Sequence, residues 1–251
     1  MIRYLKKTTK IFFSVLVYLV VTQQVTLFLE DKLDLVFILL IKSAFKLSLL
    51  IWVIWIILKD GYFNKDLFFR NQVGSYLLII AIGYFSLQFT FSQHVTTTEV
   101  LVFLLSCGLT GFFEEALFRV YLFQILENNY KSISWNKRVL VVSSLFGVVH
   151  FTGFFKDMDW ISIVNQVVFA FAIGVFFQCL LTICKSYLLI AALHMFVNFL
   201  GSFKSYFSKY QDYSPSTMDD FFSTQLVVLV FSIFIVLPTF YFAKKQEKKG
   251  E

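Results

Sequence analysis

ISIVNQVVFAFAIGVFFQCLLTI, residues 161–183, carries no charged side chain. It is long enough to cross the hydrocarbon core of a bilayer, which takes about 20 apolar residues in a helix. Seven further stretches read the same way, at 11–29, 35–58, 74–91, 99–127, 138–155, 187–203 and 221–243. The chain as a whole agrees, with 58% hydrophobic and only 15% charged residues. A soluble domain carries about 45–50% apolar and about 25% charged residues, so this chain lacks the polar surface to cover a water-soluble sphere. The composition excludes a soluble enzyme, a nucleic-acid-binding domain and a disordered tail. It predicts an all-α, polytopic transmembrane helical bundle of about eight helices. The chain shows neither an internal repeat nor a soluble insertion, so residues 1–251 read as a single integral membrane domain in contact with the lipid bilayer.

The net charge of +6 belongs to the loops. Lys and Arg cluster at 3–10, 59–70, 131–138, 185 and 244–249, all on one side of the predicted bundle, and are sparse on the other. Positive loops stay cytoplasmic, so both termini are expected there. Trp135 and Trp160 fall near span ends, where aromatic rings favour the interface. The first span has the basic start of a signal peptide, but it is long and no small-residue cleavage site follows Leu29, so a retained helix is expected. Cys107, Cys179 and Cys184 match neither a disulfide framework nor a metal-ligand spacing. Abundant Phe, and Lys in excess of Arg, fit an AT-rich bacterial genome and hence a bacterial plasma membrane.

Ionisable groups inside a span cost roughly 2.5–3.5 kcal/mol each and mark function. Three clusters qualify. Glu114-Glu115-Ala-Leu-Phe-Arg119 lies in the long fourth span, which Gly108 and Gly111 could kink. Glu115 and Arg119 are four apart and can pair, which leaves Glu114 about 100° away around the helix, pointing elsewhere. Adjacent buried carboxylates push one another's proton affinity up, which suits one of them to take a proton from water. Phe146-Gly147-Val-Val-His150 lies in the fifth span, with Gly147 allowing close helix approach. His194-Met-Phe-Val-Asn198 lies in the seventh. Each has a bland reading as packing glue or a structural ion pair. Depth argues against that for the set. At about 1.5 Å per residue, Glu114, His150 and His194 lie roughly 20, 18 and 10 Å from their inner helix ends, so their depths overlap. His94, in an outer loop, does not join them.

Together EEALFR (114–119), FGVVH (146–150) and HMFVN (194–198) resemble the motifs of the CPBP family, also called the Abi or type II CAAX prenyl endopeptidase family: Glu-Glu-x-x-x-Arg, Phe-x-x-x-His and His-x-x-x-Asn or Asp on successive membrane helices. The resemblance covers about residues 99–203. It implies an intramembrane endopeptidase. Glu114 would be the general base that activates water, with Glu115 and Arg119 in support. His150 would position the water or the developing charge, and His194 with Asn198 would form the oxyanion site. A divalent metal such as zinc on Glu114, His150 and His194 is compatible with this set, and so is a glutamate mechanism without metal. The His-Glu-x-x-His spacing of a zinc helix is absent, which favours the latter. No organic cofactor is implied.

The expected substrate is a peptide or membrane protein rather than a prenylated one. Relatives are linked to leader-peptide, pheromone or bacteriocin processing and to immunity. A sensor kinase, a peptide exporter or a cell-envelope enzyme is the kind of partner the resemblance implies. The alternative reading is a non-proteolytic membrane regulator or immunity protein that binds a partner membrane protein. A proton-relay transporter is weaker, because transporter folds are built from repeats. Lys42 and Lys46 in the second span are open to an acidic partner, a substrate carboxylate or lipid headgroups. The aromatic, basic loop at 61–70 could lie in the interface, and the polar outer loop at 204–220 could bind a partner.

Overall fold

A helix satisfies every main-chain hydrogen bond within itself, which is what a bilayer core demands of a spanning segment. The computed structural model of the chain follows that rule. It describes residues 2–64, 67, 95–156, 158–207 and 216–250, and no strand occurs among them. In order they form α1 (Ile2–Glu30), α2 (Leu35–Lys59) and α3 (Thr97–Glu115). A π-helical turn (Ala116–Leu122) carries α3 into α4 (Phe123–Asn129). Then come α5 (Trp135–Val149), a 3₁₀ turn (His150–Lys156), α6 (Trp160–Cys184) and α7 (Tyr187–Phe207). Last are α8 (Met218–Phe231), a second π-helical turn (Ser232–Val236) and α9 (Leu237–Gly250).

Six helices among the described residues are long and apolar enough to cross a membrane: Lys7–Glu30, Leu35–Lys59, Thr97–Asn129, Trp135–Phe155, Trp160–Cys184 and Met218–Lys248. Tyr187–Phe203 is a shorter apolar helix. The chain is thus an all-helical, multi-pass membrane protein, with helices at seven of the eight expected spans. The span expected at 74–91, His94 and most of the loops expected at 61–70 and 204–220 lie outside the described residues.

Local chemistry sets the boundaries. Thr96 caps α3 in a reciprocal box with Glu99, and Thr217 does the same for α8 with Asp220. Asp159 caps α6 by accepting the N–H of Ser162. Lys185 ends α6 in a left-handed conformation, φ 50°. The exposed faces are apolar, as a lipid-facing surface requires: Phe28, Val227 and Phe234 all project outward. Trp160 is exposed at its span end, whereas Trp135 is buried and stacks on Phe240, with ring centroids 5.3 Å apart.

The chain divides into two compact units. The first comprises Val25–Leu117 and Ser186–Tyr213. In it α3 packs against both α2 and α7. Its core is aromatic, with Phe103 against Phe199 at 5.5 Å and Phe207 at 5.4 Å, beside Leu39, Val100 and Cys107. Both intramembrane lysines of α2 find partners within this unit. Lys42 pairs with Glu30 at 2.9 Å, and Lys46 donates to the Ser106 hydroxyl at 2.8 Å and its carbonyl at 3.2 Å.

The second unit comprises Met1–Gln24, Phe118–Lys185 and Ser214–Glu251. Here α5 and α6 pack on one another, and α8 and α9 lie against α6. Arg138, nearly buried, joins three segments. It reaches Glu127 at 3.3 Å, Glu247 at 3.5 Å and the Ile133 carbonyl at 3.2 Å. Gln23 and Gln24 of α1 donate to the Thr152 and Phe155 carbonyls of the 3₁₀ turn.

Candidate active site

The seam between α3 and α7 is antiparallel: Phe103 meets Phe199, Gly108 meets Met195, and Gly111 meets Ala191. Gly111 is where the two backbones come closest. A Cβ there would lie 2.8 Å from the Ala191 carbonyl oxygen and 3.0 Å from the Met195 nitrogen. Only glycine permits that approach. Gly108 and Gly111 therefore serve contact rather than the kink expected of them, and the irregularity falls later, in the π-helical turn at Ala116–Leu122.

One turn beyond Gly111 stand Glu114 and Glu115. Taking Gly111 as the line of contact, helical geometry puts Glu115 about 40° to one side and Glu114 about 60° to the other. The two carboxylates straddle the seam, and His194 of α7 fills the space between them. Its Nδ1 lies 2.8 Å from Glu115 Oε1, and its Nε2 lies 3.4 Å from Glu114 Oε2. His194 is 3%, Glu115 0% and Glu114 9% exposed. The expectation that Glu114 points elsewhere is thus corrected. An imidazole has nitrogens on two edges, so it can meet carboxylates on both sides of one seam. The hydrogen bond at Glu115 crosses to α7, a partner that spacing within one helix does not reveal.

The Glu115–His194 bond has a chemical consequence. Nδ1–H donating to a carboxylate fixes the ring's orientation. Nε2 then points toward Glu114. Asn198 lies one turn further along α7. Its Nδ2 is buried and makes no hydrogen bond among the described residues. His194 and Asn198 thus place two nitrogens of one helix face beside a carboxylate, the kind of arrangement that can hold a developing oxyanion next to a general base.

Arg119, Phe146 and His150 are gathered in the second unit. The guanidinium of Arg119, 1% exposed, sits 4.8 Å from the centroid of Phe146. Phe118 meets Phe146 edge-on at 5.1 Å, and the His150 ring meets it at 5.2 Å. The aromatic member of the second motif is thus the surface on which the arginine and the histidine are both seated. His150 closes α5. Its Nδ1–H donates to the Phe146 carbonyl at 3.0 Å. Gly147 makes the close approach expected of it: a Cβ there would lie 3.1 Å from the Val167 carbonyl oxygen.

Among the described residues no group of three or more His, Cys, Asp or Glu side chains is placed to hold a metal ion.

Sequence reading did not find the π-helical turn, the double use of His194, or Tyr187. That tyrosine opens α7 and its hydroxyl donates to the Phe112 carbonyl at 2.6 Å. No motif signals it, although its distance of seven residues from His194 puts both on one face of α7.

Against known families, residues 96–200 match the model described as Type II CAAX prenyl endopeptidase Rce1-like. No curated protein and no solved structure matches the chain.

Proposed function

We propose that the chain, whose residues 96–200 match the Rce1-like, type II CAAX prenyl endopeptidase family, is a protease of that family and hydrolyses peptide bonds within the membrane by glutamate-activated attack of water. The observation that carries this reading is His194 held between Glu114 and Glu115, one turn from Asn198, whose Nδ2 makes no hydrogen bond among the described residues. Glu114 takes a proton from water as the new C–O bond forms, and returns it to the leaving amine as the C–N bond breaks. Nε2–H of His194 and Nδ2–H of Asn198 donate to the carbonyl oxygen as it becomes an oxyanion. Glu115 orients the imidazole. The resemblance assigns His150 to the water or the developing charge and Arg119 to support of the glutamates.

The substrate on this reading is a peptide or a membrane protein, of the leader-peptide, pheromone or bacteriocin kind, in a bacterial plasma membrane. The distribution of Lys and Arg supports cytoplasmic termini.

Mass spectrometry of membrane peptides from cells expressing wild type or Glu114→Gln tests the function. Peptides that disappear in the variant, at equal protein level, support proteolysis and identify the substrate. Identical peptide sets would refute it and move the assignment to a regulator that binds its partner without cutting it.

A further inference from the structure

The two π-helical turns among the described residues have different surroundings. The second, Ser232–Val236, is followed by Pro238, which lacks an N–H for the Phe234 carbonyl. The first, Ala116–Leu122, has no proline near it: the chain's two prolines are Pro215 and Pro238. Just before it, the Phe112 carbonyl accepts twice: the regular bond from the Ala116 N–H, which also reaches the Phe113 carbonyl, and the Tyr187 hydroxyl at 2.6 Å.

Tyr187 is 3% exposed and its ring packs edge-on against Phe112, with centroids 6.1 Å apart. Two turns along α7, His194 bonds Glu115. Ala191, between them, is the residue that Gly111 touches. α7 thus grips α3 on either side of their closest contact: by the main chain at Phe112, and by the side chain at Glu115.

We propose that Tyr187 is a positioning residue of the Glu114–Glu115–His194 cluster. Its hydroxyl ties the first turn of α7 to the main chain of α3 one turn before the two glutamates, and so sets the register in which both meet one imidazole. The inference rests on the reading that this cluster carries the hydrolysis. Its geometric half can be tested without a substrate.

The experiment uses the full-length protein in detergent micelles with ¹⁵N-labelled histidine rings. The signals of His94, His150 and His194 are assigned by single substitutions. Tyr187→Phe keeps the ring and removes only the hydroxyl. The expected result is a displaced His194 signal and titration, an unmoved His150 signal, and a yield of Glu114-dependent membrane peptides lowered about fivefold, the scale of one lost hydrogen bond. A purely structural tyrosine would lower the melting temperature and leave the His194 signal of the folded protein in place. An unchanged His194 signal overturns the proposal, as does a displaced signal with undiminished peptide yield. If wild type yields no Glu114-dependent peptide, the proteolytic reading fails instead, and the His194 signal still decides whether Tyr187 sets the cluster.

Discussion

The helix Thr97–Asn129 and the helix Met218–Lys248 are both long spans interrupted by a π-helical turn, and they use it differently. In the first, every residue of the turn is buried, Glu114 and Glu115 stand just before it, and Arg119 lies within it. In the second, the turn reads SIFIV and Phe234 is 72% exposed. A hydrogen bond from another helix reaches the chain just before the first, and a proline stands just after the second. A bilayer tolerates an irregular helix wherever the backbone is satisfied again. What distinguishes a functional irregularity is that polar side chains, costly at that depth, are gathered around it and engaged by a neighbouring helix. Lone polar contacts elsewhere do not have this character. The Asn165–Gln225 bond at 2.7 Å between α6 and α8 joins two neutral amides.

The contrast can be broken at four places. The largest effect is expected at the buried turn itself: Glu114→Gln should cut hydrolysis by roughly 10²–10⁴, the range of a general base, with an unchanged melting temperature in detergent. Gly111→Ala comes next. Its Cβ would meet main chain at 2.8 Å, so α7 must move away. Thermal unfolding should show a loss of about 1–3 kcal/mol, and the Glu115–His194 contact should loosen with it. Phe146→Leu removes the aromatic face under Arg119. A loss of about 1–2 kcal/mol is expected on the same assay, together with reduced hydrolysis, because both Arg119 and His150 lose their seat. The smallest effect belongs to the exposed turn. Pro238→Ala should let the ladder of α8 and α9 close and change stability by less than about 1 kcal/mol, with hydrolysis at the wild-type rate. Loss of activity in that variant would erase the distinction between the two turns.

Much of this was legible in the sequence, for identifiable reasons. Spans such as 161–183 announce themselves because length and apolarity are the whole requirement for crossing lipid; most ends of the described helices fall within a few residues of the expected ones, but α1 begins at Ile2 rather than 11 and α9 ends at Gly250 rather than 243. Glu114, Glu115, His194 and Asn198 stood out because charged and polar groups are rare in such segments. Their arrangement was less legible. The i, i+4 rule sees only one helix, so it offered Arg119 as the partner of Glu115 and turned Glu114 away. The placement of α7 across Gly111 brings one imidazole to both. Tyr187 was invisible for the same reason: a tyrosine in an apolar helix is ordinary until its hydroxyl is seen on the Phe112 carbonyl. Lys42 and Lys46 left three readings open. The structure gives the first of them an acidic partner on the preceding helix and the second a serine.

The most direct test of water attack by this cluster is isotopic. Membranes containing wild type or Glu114→Gln are incubated in H₂¹⁸O, and the new C-termini of released peptides are weighed. Hydrolysis activated by Glu114 predicts one ¹⁸O in each new carboxylate for wild type, and no such peptides from the variant. Peptides released without the label, or labelled equally by both proteins, would contradict it.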